Sequence, residues 1–252
     1  MSQISSLIYE INNLKKNYND REVINIRQLK FHRGTIYGIV GPIGSWKSTL
    51  LKLMAGYIKQ TTGAINYEDG PFETNLFGKI KLNPEIKLVQ LNDKLDQSKF
   101  SGLLNNEFSD RIIPRYLKKN NLINNKNNVD NLSKGERALL NLAIAFKEDP
   151  RVLLIDDYGI FFDDEIEKDL RNKIKYINKE FGTTIILSSP NDTILKRFAS
   201  VLLYLNNGHL SKIRSKQTNE KKTRKIRSKN KPRRKYFTKK WFIINNYGIR
   251  SI

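Results

Sequence analysis

The segment GPIGSWKST, residues 41–49, constrains the fold of this chain more than any other segment. It follows a strand-like run, GTIYGIV, and precedes a segment with a helical pattern, STLLKLMAGYI. Glycine permits tight turns and close backbone approaches that other residues tolerate poorly. A strand, a glycine-rich loop and a helix in this order bring backbone N–H groups at a helix N-terminus together around an anion. The segment therefore predicts a phosphate-binding loop in an α/β domain.

The residue types of the loop fit the phosphates of a nucleotide. The motif G-x-x-x-x-G-K-[S/T], known as Walker A, predicts that Lys47 contacts the β- and γ-phosphates and that Ser48 ligates magnesium. Gly41 and Gly44 allow the turns that aim backbone N–H groups at phosphate oxygens. The other loop residues predicted to contact the nucleotide are Ser45, Trp46 and Thr49. A chance glycine loop in front of a helix is the alternative interpretation.

Trp46 departs from this motif, which has glycine immediately before the lysine. The backbone geometry at that position is one that a Cβ atom tolerates poorly. We therefore expect the indole to weaken nucleotide binding or to change the shape of the loop. The alternative is that the indole points away from the nucleotide and the backbone N–H groups still bind it.

A second sequence motif lies at residues 151–157, RVLLIDD. A continuous apolar run that ends in two acids is typical of a buried parallel strand. Asp156 matches an aspartate that holds magnesium through water, and Asp157 stands where a carboxylate would activate water as a general base. With Lys47, Asp157 forms the predicted catalytic pair. Two solvated acids at a strand end are the alternative.

Between these elements lies NLSKGER, residues 131–137, which leads into a helical pattern. The three elements in this order resemble the ATP-binding subunit of ABC transporters, whose signature sequence is LSGGQ or LSGGE. Here Lys134 replaces the first glycine. Ser133 and Glu136 also have the spacing of a helix capping box, and both interpretations can hold. The family uses this helix start to face the γ-phosphate across a dimer, so the resemblance implies that Ser133 and Gly135 act on a partner's ATP.

The resemblance extends over about residues 6–211 and implies an architecture and a set of ligands. The implied fold is an α/β P-loop NTPase of the ABC type, with an antiparallel β subdomain and a small helical insert at about 92–135. The implied cofactors are ATP and Mg²⁺. The implied partners are a second ATP-binding domain, in a homodimer or heterodimer, and a transmembrane permease. The implied location is cytoplasmic, peripheral on the inner face of the membrane.

Two further positions follow from the same resemblance. Tyr18 stands where the family has an aromatic residue that stacks on adenine, although it also fits an ordinary turn tyrosine. Gln90 is the candidate for a glutamine that coordinates magnesium. The alignment leaves Leu91 as the alternative occupant of that position.

Departures from the family pattern predict slow hydrolysis. Asp157 replaces a glutamate, so its carboxylate ends about 1.5 Å short, the length of one single bond, and misplacement by about 1 Å can lower a rate about a hundredfold. Pro190 stands at the position of the family's switch histidine and offers no polar side chain to the γ-phosphate. Two alternatives stay open, an ABC-like ATPase that acts on RNA or DNA and a non-hydrolysing regulatory or scaffold subunit.

The net charge of +21 is concentrated near the C-terminus. Residues 212–240 contain fifteen Lys or Arg and one acid, Glu220, a net charge of +14. We expect residues 212–252 to form a basic, disordered tail. It could bind an anionic membrane surface through its cations and the apolar block at Trp241, or bind nucleic acid phosphates.

Composition and hydropathy exclude several classes of protein. The chain has no cysteine, which rules out disulfides, iron–sulfur clusters and thiolate zinc sites. The apolar runs are shorter than the roughly 18 to 20 residues of a spanning helix. The N-terminus lacks the basic and apolar regions of a signal peptide. We therefore expect a cytoplasmic protein.

Overall fold

The computed structural model describes residues 6–68, 70–91 and 132–215. Most of the predicted helical insert, residues 92–131, and most of the predicted tail, residues 216–252, lie outside the described residues. The domain boundaries drawn from the sequence therefore stay predictions. Within the described ranges, no helix combines the length and the apolar composition needed to cross a membrane.

The described chain alternates strands and helices. The strands, in chain order, are β1 (Leu7–Tyr18), β2 (Arg21–His32), β3 (Ile36–Val40), β4 (Thr62–Tyr67), β5 (Gly70–Pro71), β6 (Ile86–Gln90), β7 (Val152–Asp156), β8 (Thr184–Ser189), β9 (Val201–Asn206) and β10 (His209–Ser215). The α-helices are α1 (Lys47–Met54), α2 (Lys134–Lys147) and α3 (Asp164–Phe181), and a 3₁₀ turn spans Leu195–Arg197.

The larger sheet has six strands in the order β10-β9-β3-β8-β7-β6. The pairs β3–β8, β3–β9, β7–β8 and β6–β7 are parallel, and only the β9–β10 hairpin is antiparallel. The carboxyl ends of β3, β6, β7 and β8 therefore meet at one edge of the sheet, where ligands bind in open α/β folds. The crossovers run through α1, α2 and α3, as parallel strands require.

The smaller sheet is antiparallel, with strand order β2-β1-β4-β5. A tight turn at Asn19 and Asp20 joins β1 to β2, with Asn19 at a φ of 50°. The Tyr9 hydroxyl donates a 2.9 Å hydrogen bond to the Met54 carbonyl and so ties β1 to the end of α1. The smaller sheet thereby holds the β1–β2 turn against the α1 side of the larger sheet.

Two apolar clusters cover the two faces of the larger sheet, as an interior parallel sheet requires. Leu153 and Ile155 of β7 face a cluster that contains the apolar sides of α2 and α3. Val152 and Leu154 face the other cluster, which contains α1 and the inner face of the smaller sheet. Successive side chains of a strand point to opposite faces, so the continuous apolar run in RVLLIDD serves both clusters.

The structure confirms the predicted fold class and most local elements, with differences at their ends. Gly182 ends α3 in the left-handed conformation, at a φ of 71°. The β9–β10 hairpin turns at Asn207 and Gly208, both with positive φ, as a two-residue turn requires. The first helix is shorter than the pattern STLLKLMAGYI suggested, because α1 stops at Met54 and Gly56 takes a φ of 74°.

Candidate functional site

The glycine-rich loop connects β3 to α1 at the carboxyl edge of the larger sheet. Gly41 is buried, and a Cβ atom added there would lie 2.2 Å from the Leu205 carbonyl oxygen and 2.6 Å from Ser45 Oγ. Only glycine fits this contact. Gly44 has a φ of 81°, in the left-handed region that favours glycine. Both positions therefore require or favour glycine, and their predicted role in aiming N–H groups at phosphate stays a prediction.

Lys47 is the first residue of α1, and its ammonium group is enclosed by the loop. Its Nζ donates to the Gly41 carbonyl at 2.7 Å, to the Pro42 carbonyl at 3.0 Å and to Ser45 Oγ at 3.3 Å. The residue is only 6% exposed. Burial lowers the pKa of Lys47, and the carboxylates of Asp157 and Asp156 act in the opposite direction. The lysine thus feels the charge of both predicted acids.

Trp46 precedes Lys47 with a φ of 71° and a ψ of 26°, a left-handed conformation. The loop therefore keeps a glycine-like backbone despite the indole. The indole centroid lies 6.3 Å from the Tyr18 ring, inclined by 45°, and the Arg21 guanidinium lies 5.3 Å from its ring. Both contacts come from the β1–β2 turn. The backbone at this residue therefore does not show the expected change of loop shape. The indole points to the β1–β2 turn.

These contacts are of the right size to offset the strain at Trp46. A left-handed backbone costs a residue with a Cβ atom roughly 1 to 2 kcal/mol. An aromatic pair contributes about 0.5 to 1.5 kcal/mol, and an exposed cation–π contact contributes about 0.5 to 1 kcal/mol. The contacts with Tyr18 and Arg21 therefore suffice to hold the indole where it lies.

The start of α1 keeps backbone donors for an anion. Trp46 occupies the N-cap position and makes no side-chain capping hydrogen bond. The first N–H groups of a helix have no partner within the helix, and here they belong to Lys47, Ser48 and Thr49. Lys47 and Thr49 are buried, and Ser48 is half-buried. This arrangement suits phosphate oxygens.

The carboxyl end of β7 carries the two predicted acids, and Ser188 of β8 joins them. Ser188 Oγ donates to Asp156 Oδ1 at 2.5 Å, and it accepts a 2.9 Å hydrogen bond from the backbone N–H of Asp157. The Ser188 carbonyl accepts from the N–H of Tyr158 at 2.8 Å. Three hydrogen bonds to Ser188 thus fix the carboxyl end of β7 and the two residues after it.

Asp157 has an unusual backbone and a perturbed carboxyl group. Its φ is 57°, a left-handed value that aspartate tolerates better than most residues. Burial raises the pKa of Asp157, the neighbouring Asp156 raises it further, and the ammonium of Lys47 opposes both. A carboxylate with a raised pKa is a stronger base, which suits the predicted role in activating water.

The residues present can hold a magnesium ion together with a nucleotide. In the β6–β7 ladder, Gln90 pairs with Asp156, so both lie at the same level of the sheet edge. Gln90 is half-buried, whereas Leu91 is 2% exposed and belongs to the apolar core, which favours Gln90 as the polar ligand. Within the described ranges, no group of three His, Cys, Asp or Glu side chains could bind a metal. Magnesium is commonly bound by one or two carboxylates and substrate phosphates.

The predicted signature residues lie at the start of α2. Ser133 is the N-cap, and a complete capping box links it to Glu136 at 3.2 and 2.8 Å. Gly135 packs near the carbonyl of Phe161, which a Cβ atom would approach to 3.2 Å. Asp163 caps α3 by accepting from the Ile166 N–H at 2.8 Å. These residues lie beside the segment after β7 and not on the glycine-rich loop.

Two residues of this site were missed by reasoning from the sequence. Ser188 was assigned no role from the sequence, although a polar residue near the end of a buried strand signals a contact at the sheet edge. Arg21 carried no signal at all, because its contact with Trp46 depends on how the β1–β2 turn packs. The predicted base contact requires an exposed aromatic ring, and Tyr18 is 44% exposed.

Comparisons with known proteins agree with this geometry. The family model described as "ABC transporter" matches residues 24–158. The lantibiotic transport ATP-binding protein SrtF of Streptococcus pyogenes is 28% identical over 203 residues, which cover 80% of this chain and 88% of that protein. The methionine import ATP-binding protein MetN of Campylobacter jejuni is 29% identical over 232 residues, covering 80% and 68%.

Solved structures share the fold at low identity. The structure of cbiO1 from Clostridium perfringens, part of the ABC transporter complex cbiONQ, superposes with a TM-score of 0.66 at 22% identity and covers 83% of this chain and 88% of that one. The ATP-binding subunit of another ABC transporter gives a TM-score of 0.68 at 19% identity, covering 82% and 90%. The family match spans more than half of the residues. The chain therefore belongs to the ABC transporter family and is one of its ATP-binding subunits, which are ATPases.

Proposed function

We propose that this chain binds ATP with Mg²⁺ between the glycine-rich loop and the carboxyl ends of β6 and β7, and hydrolyses it slowly to drive transport. The observation that carries the proposal is that the parallel strands β3, β8 and β7 bring Lys47 and the two acids Asp156 and Asp157 to one edge of the sheet, beside a loop whose glycines keep their required conformations. The relatives transport different substrates, so no transported substrate is assigned to this chain.

In the proposed complex, the loop N–H groups and Lys47 bind the phosphates. Gly41, Gly44 and Ser45 shape the loop, and the start of α1 aims its N–H groups at the phosphate oxygens. Ser48, Asp156 and Gln90 are the residues that would hold Mg²⁺. The bound ion would neutralise charge on the β- and γ-phosphate oxygens.

Hydrolysis requires a water molecule in line with the bond between the γ-phosphorus and the bridging oxygen of ADP. As that bond breaks and a new bond forms between the water oxygen and phosphorus, the water gives up a proton. Asp157 is the proposed acceptor of this proton, which gives ADP and inorganic phosphate as products. Lys47 stabilises negative charge on the γ-phosphate oxygens. The short carboxylate of Asp157 is the proposed reason for slow turnover.

The proposed partners are a second ATP-binding domain and a transmembrane permease. The capping box holds Ser133 and Gly135 at an exposed helix start, from which they could contact ATP bound to the partner domain. The subunit would then lie on the inner face of the membrane, held there by the permease.

The basic residues 212–252 are proposed to contact an anionic membrane surface beside the permease. Their charge supports this, since each Lys or Arg near anionic lipid gains about 1 kcal/mol. Residues 212–215 continue β10, which ends at Ser215, and the rest lie outside the described residues. Salt-sensitive sedimentation with anionic vesicles, and not with oligonucleotides, would support the membrane surface over nucleic acid.

We predict that Lys47→Ala weakens binding of ATP·Mg²⁺ at least tenfold, because the loop loses its one buried ammonium near the phosphates. Titration calorimetry on the full chain measures this directly. Lys52→Ala is the matched control, since it removes the same side chain from the last turn of the same helix. Equal affinities for Lys47→Ala and the native chain would contradict the proposed phosphate site.

We predict that Asp157→Glu raises kcat, by up to about a hundredfold, because the added methylene brings the carboxylate about 1.5 Å nearer the water. Steady-state phosphate release at saturating ATP is the measurement. Asp157→Asn serves as the comparison, because it keeps the size of aspartate and cannot accept the proton. If both substitutions leave kcat unchanged, Asp157 is not the base.

We predict that Ser188→Ala lowers kcat about tenfold or more with a smaller change in KM for ATP. The substitution removes the hydroxyl that positions Asp156 and leaves the Asp157 N–H without its acceptor. Ser189→Ala is the matched control, because Ser189 contacts the loop through its backbone carbonyl, which alanine keeps. Equal losses in both variants would indicate a general defect of β8 instead of a positioning role.

We predict that the Asp157→Asn chain doubles its mass in the presence of ATP·Mg²⁺ and remains monomeric with ADP·Mg²⁺. Blocked hydrolysis should preserve the state in which ATP bridges two domains. Sedimentation velocity measures the mass, and Lys47→Ala provides a chain that should stay monomeric with either nucleotide. A sample that binds ATP and still stays monomeric at high concentration argues against the proposed sharing of sites.

A further inference from the structure

The aromatic residue predicted to receive the base already has an aromatic partner within the protein. Tyr18 ends β1, and Trp46 of the glycine-rich loop lies against it with centroids 6.3 Å apart. The Lys16 ammonium lies 5.1 Å from the Tyr18 ring, and the Arg21 guanidinium lies 5.3 Å from the Trp46 ring. Four side chains therefore form one cluster, here called the Tyr18–Trp46 cluster, beside the phosphate loop.

The two rings are too close and too inclined to hold a base between them. A base stacks about 3.4 Å from its neighbour, so two parallel rings around a base would lie about 6.8 Å apart. The centroid distance is 6.3 Å and the planes meet at 45°, which is the geometry of a direct aromatic pair. The indole thus takes a place against Tyr18 that a nucleobase would otherwise take.

The indole competes with a base more effectively than a free molecule would. It belongs to the same chain as Tyr18, and its contact is intramolecular, so its effective concentration is far above that of any nucleotide in solution. The left-handed backbone of Trp46 and the guanidinium of Arg21 also fix its direction. A base that stacks on the part of the Tyr18 ring that the indole covers must first displace the indole, which cancels most of the gain from stacking.

The phosphate side of the site is independent of this competition. The donors to an anion are the ammonium of Lys47 and the backbone N–H groups at the start of α1, and none of them is part of the Tyr18–Trp46 cluster. Binding energy from the triphosphate is therefore kept when the base contact is weak. The balance between base and phosphate recognition shifts toward phosphate.

We infer that Trp46 sets the base selectivity of this site: its indole substitutes for the base against Tyr18, so the chain recognises the Mg²⁺-bound triphosphate group with little discrimination among bases. This inference rests on the proposed function, since it concerns the same nucleotide site. It assigns Trp46 a role in specificity, beyond its place in the loop.

The test compares three probes, each with Mg²⁺: ATP, CTP and inorganic tripolyphosphate, which has no base. Calorimetry on the full native chain should give ATP and CTP affinities within about threefold of each other. Trp46→Gly frees Tyr18, and glycine suits the left-handed backbone, so the variant should fold. Its ATP affinity should rise about fivefold to a hundredfold relative to its tripolyphosphate affinity, which is the range of one base–aromatic stack.

Tyr18→Ala, made in both backgrounds, completes a double-mutant cycle. The loss of ATP affinity should be at least fivefold larger in the Trp46→Gly background than in the native one. The inference is overturned if the native chain already prefers ATP to CTP more than tenfold, or if Tyr18→Ala costs the same in both backgrounds. Absence of binding for all three probes in both backgrounds would instead overturn the proposed function, and this inference with it.

Discussion

The parallel alignment of β3, β8, β7 and β6 is the constraint on which the site depends. It brings the loop after β3, the acids after β7 and Gln90 of β6 to one edge, although more than 100 residues separate Gly41 from Asp156 in the chain. A parallel sheet needs cover on both faces, and the two apolar clusters supply it. The site is therefore a consequence of how the core is layered, and a change in one strand's register would separate its parts.

Within that edge, the Lys47 ammonium and the Ser188 hydroxyl are each paired with neighbouring protein groups. The three protons of the Lys47 ammonium have three acceptors in the loop, and Ser188 joins Asp156 to the Asp157 backbone. Buried polar groups without partners are costly, so this pairing stabilises the loop between binding events. A bound phosphate must exchange these hydrogen bonds for its own, which lowers the net affinity below the sum of its contacts.

Sequence reasoning predicted the parts of the site that local chemistry determines. The glycines before Lys47, the apolar run before Asp156 and the capping box at Ser133 each depend on residues close in sequence, and the structure contains all of them. The early end of α1 also depends on a nearby residue, Gly56. It was not predicted, because the apolar pattern continues past Gly56.

The parts that sequence reasoning missed depend on packing between distant segments. The Ser188–Asp156 hydrogen bond joins residues 32 positions apart, and its existence follows from β7 and β8 being neighbours. The contact of Trp46 with Tyr18 and Arg21 depends on where the β1–β2 turn lies relative to the loop. Neither strand order nor turn position can be obtained from composition or periodicity, so the direction of the indole was left open between two alternatives.

Trp46 and Asp157, at two ends of the site, each combine a left-handed backbone with a substituted side chain. Both residues have positive φ, and both stand where the family pattern has another residue. The indole is held by contacts outside the phosphate loop, so the loop keeps its backbone and its lysine. Asp157 keeps its N–H bonded to Ser188 while its carboxylate is shorter than glutamate. In each case a left-handed backbone is kept. In the proposed function, the substitution at Trp46 then acts on the base, and the substitution at Asp157 acts on the attacking water.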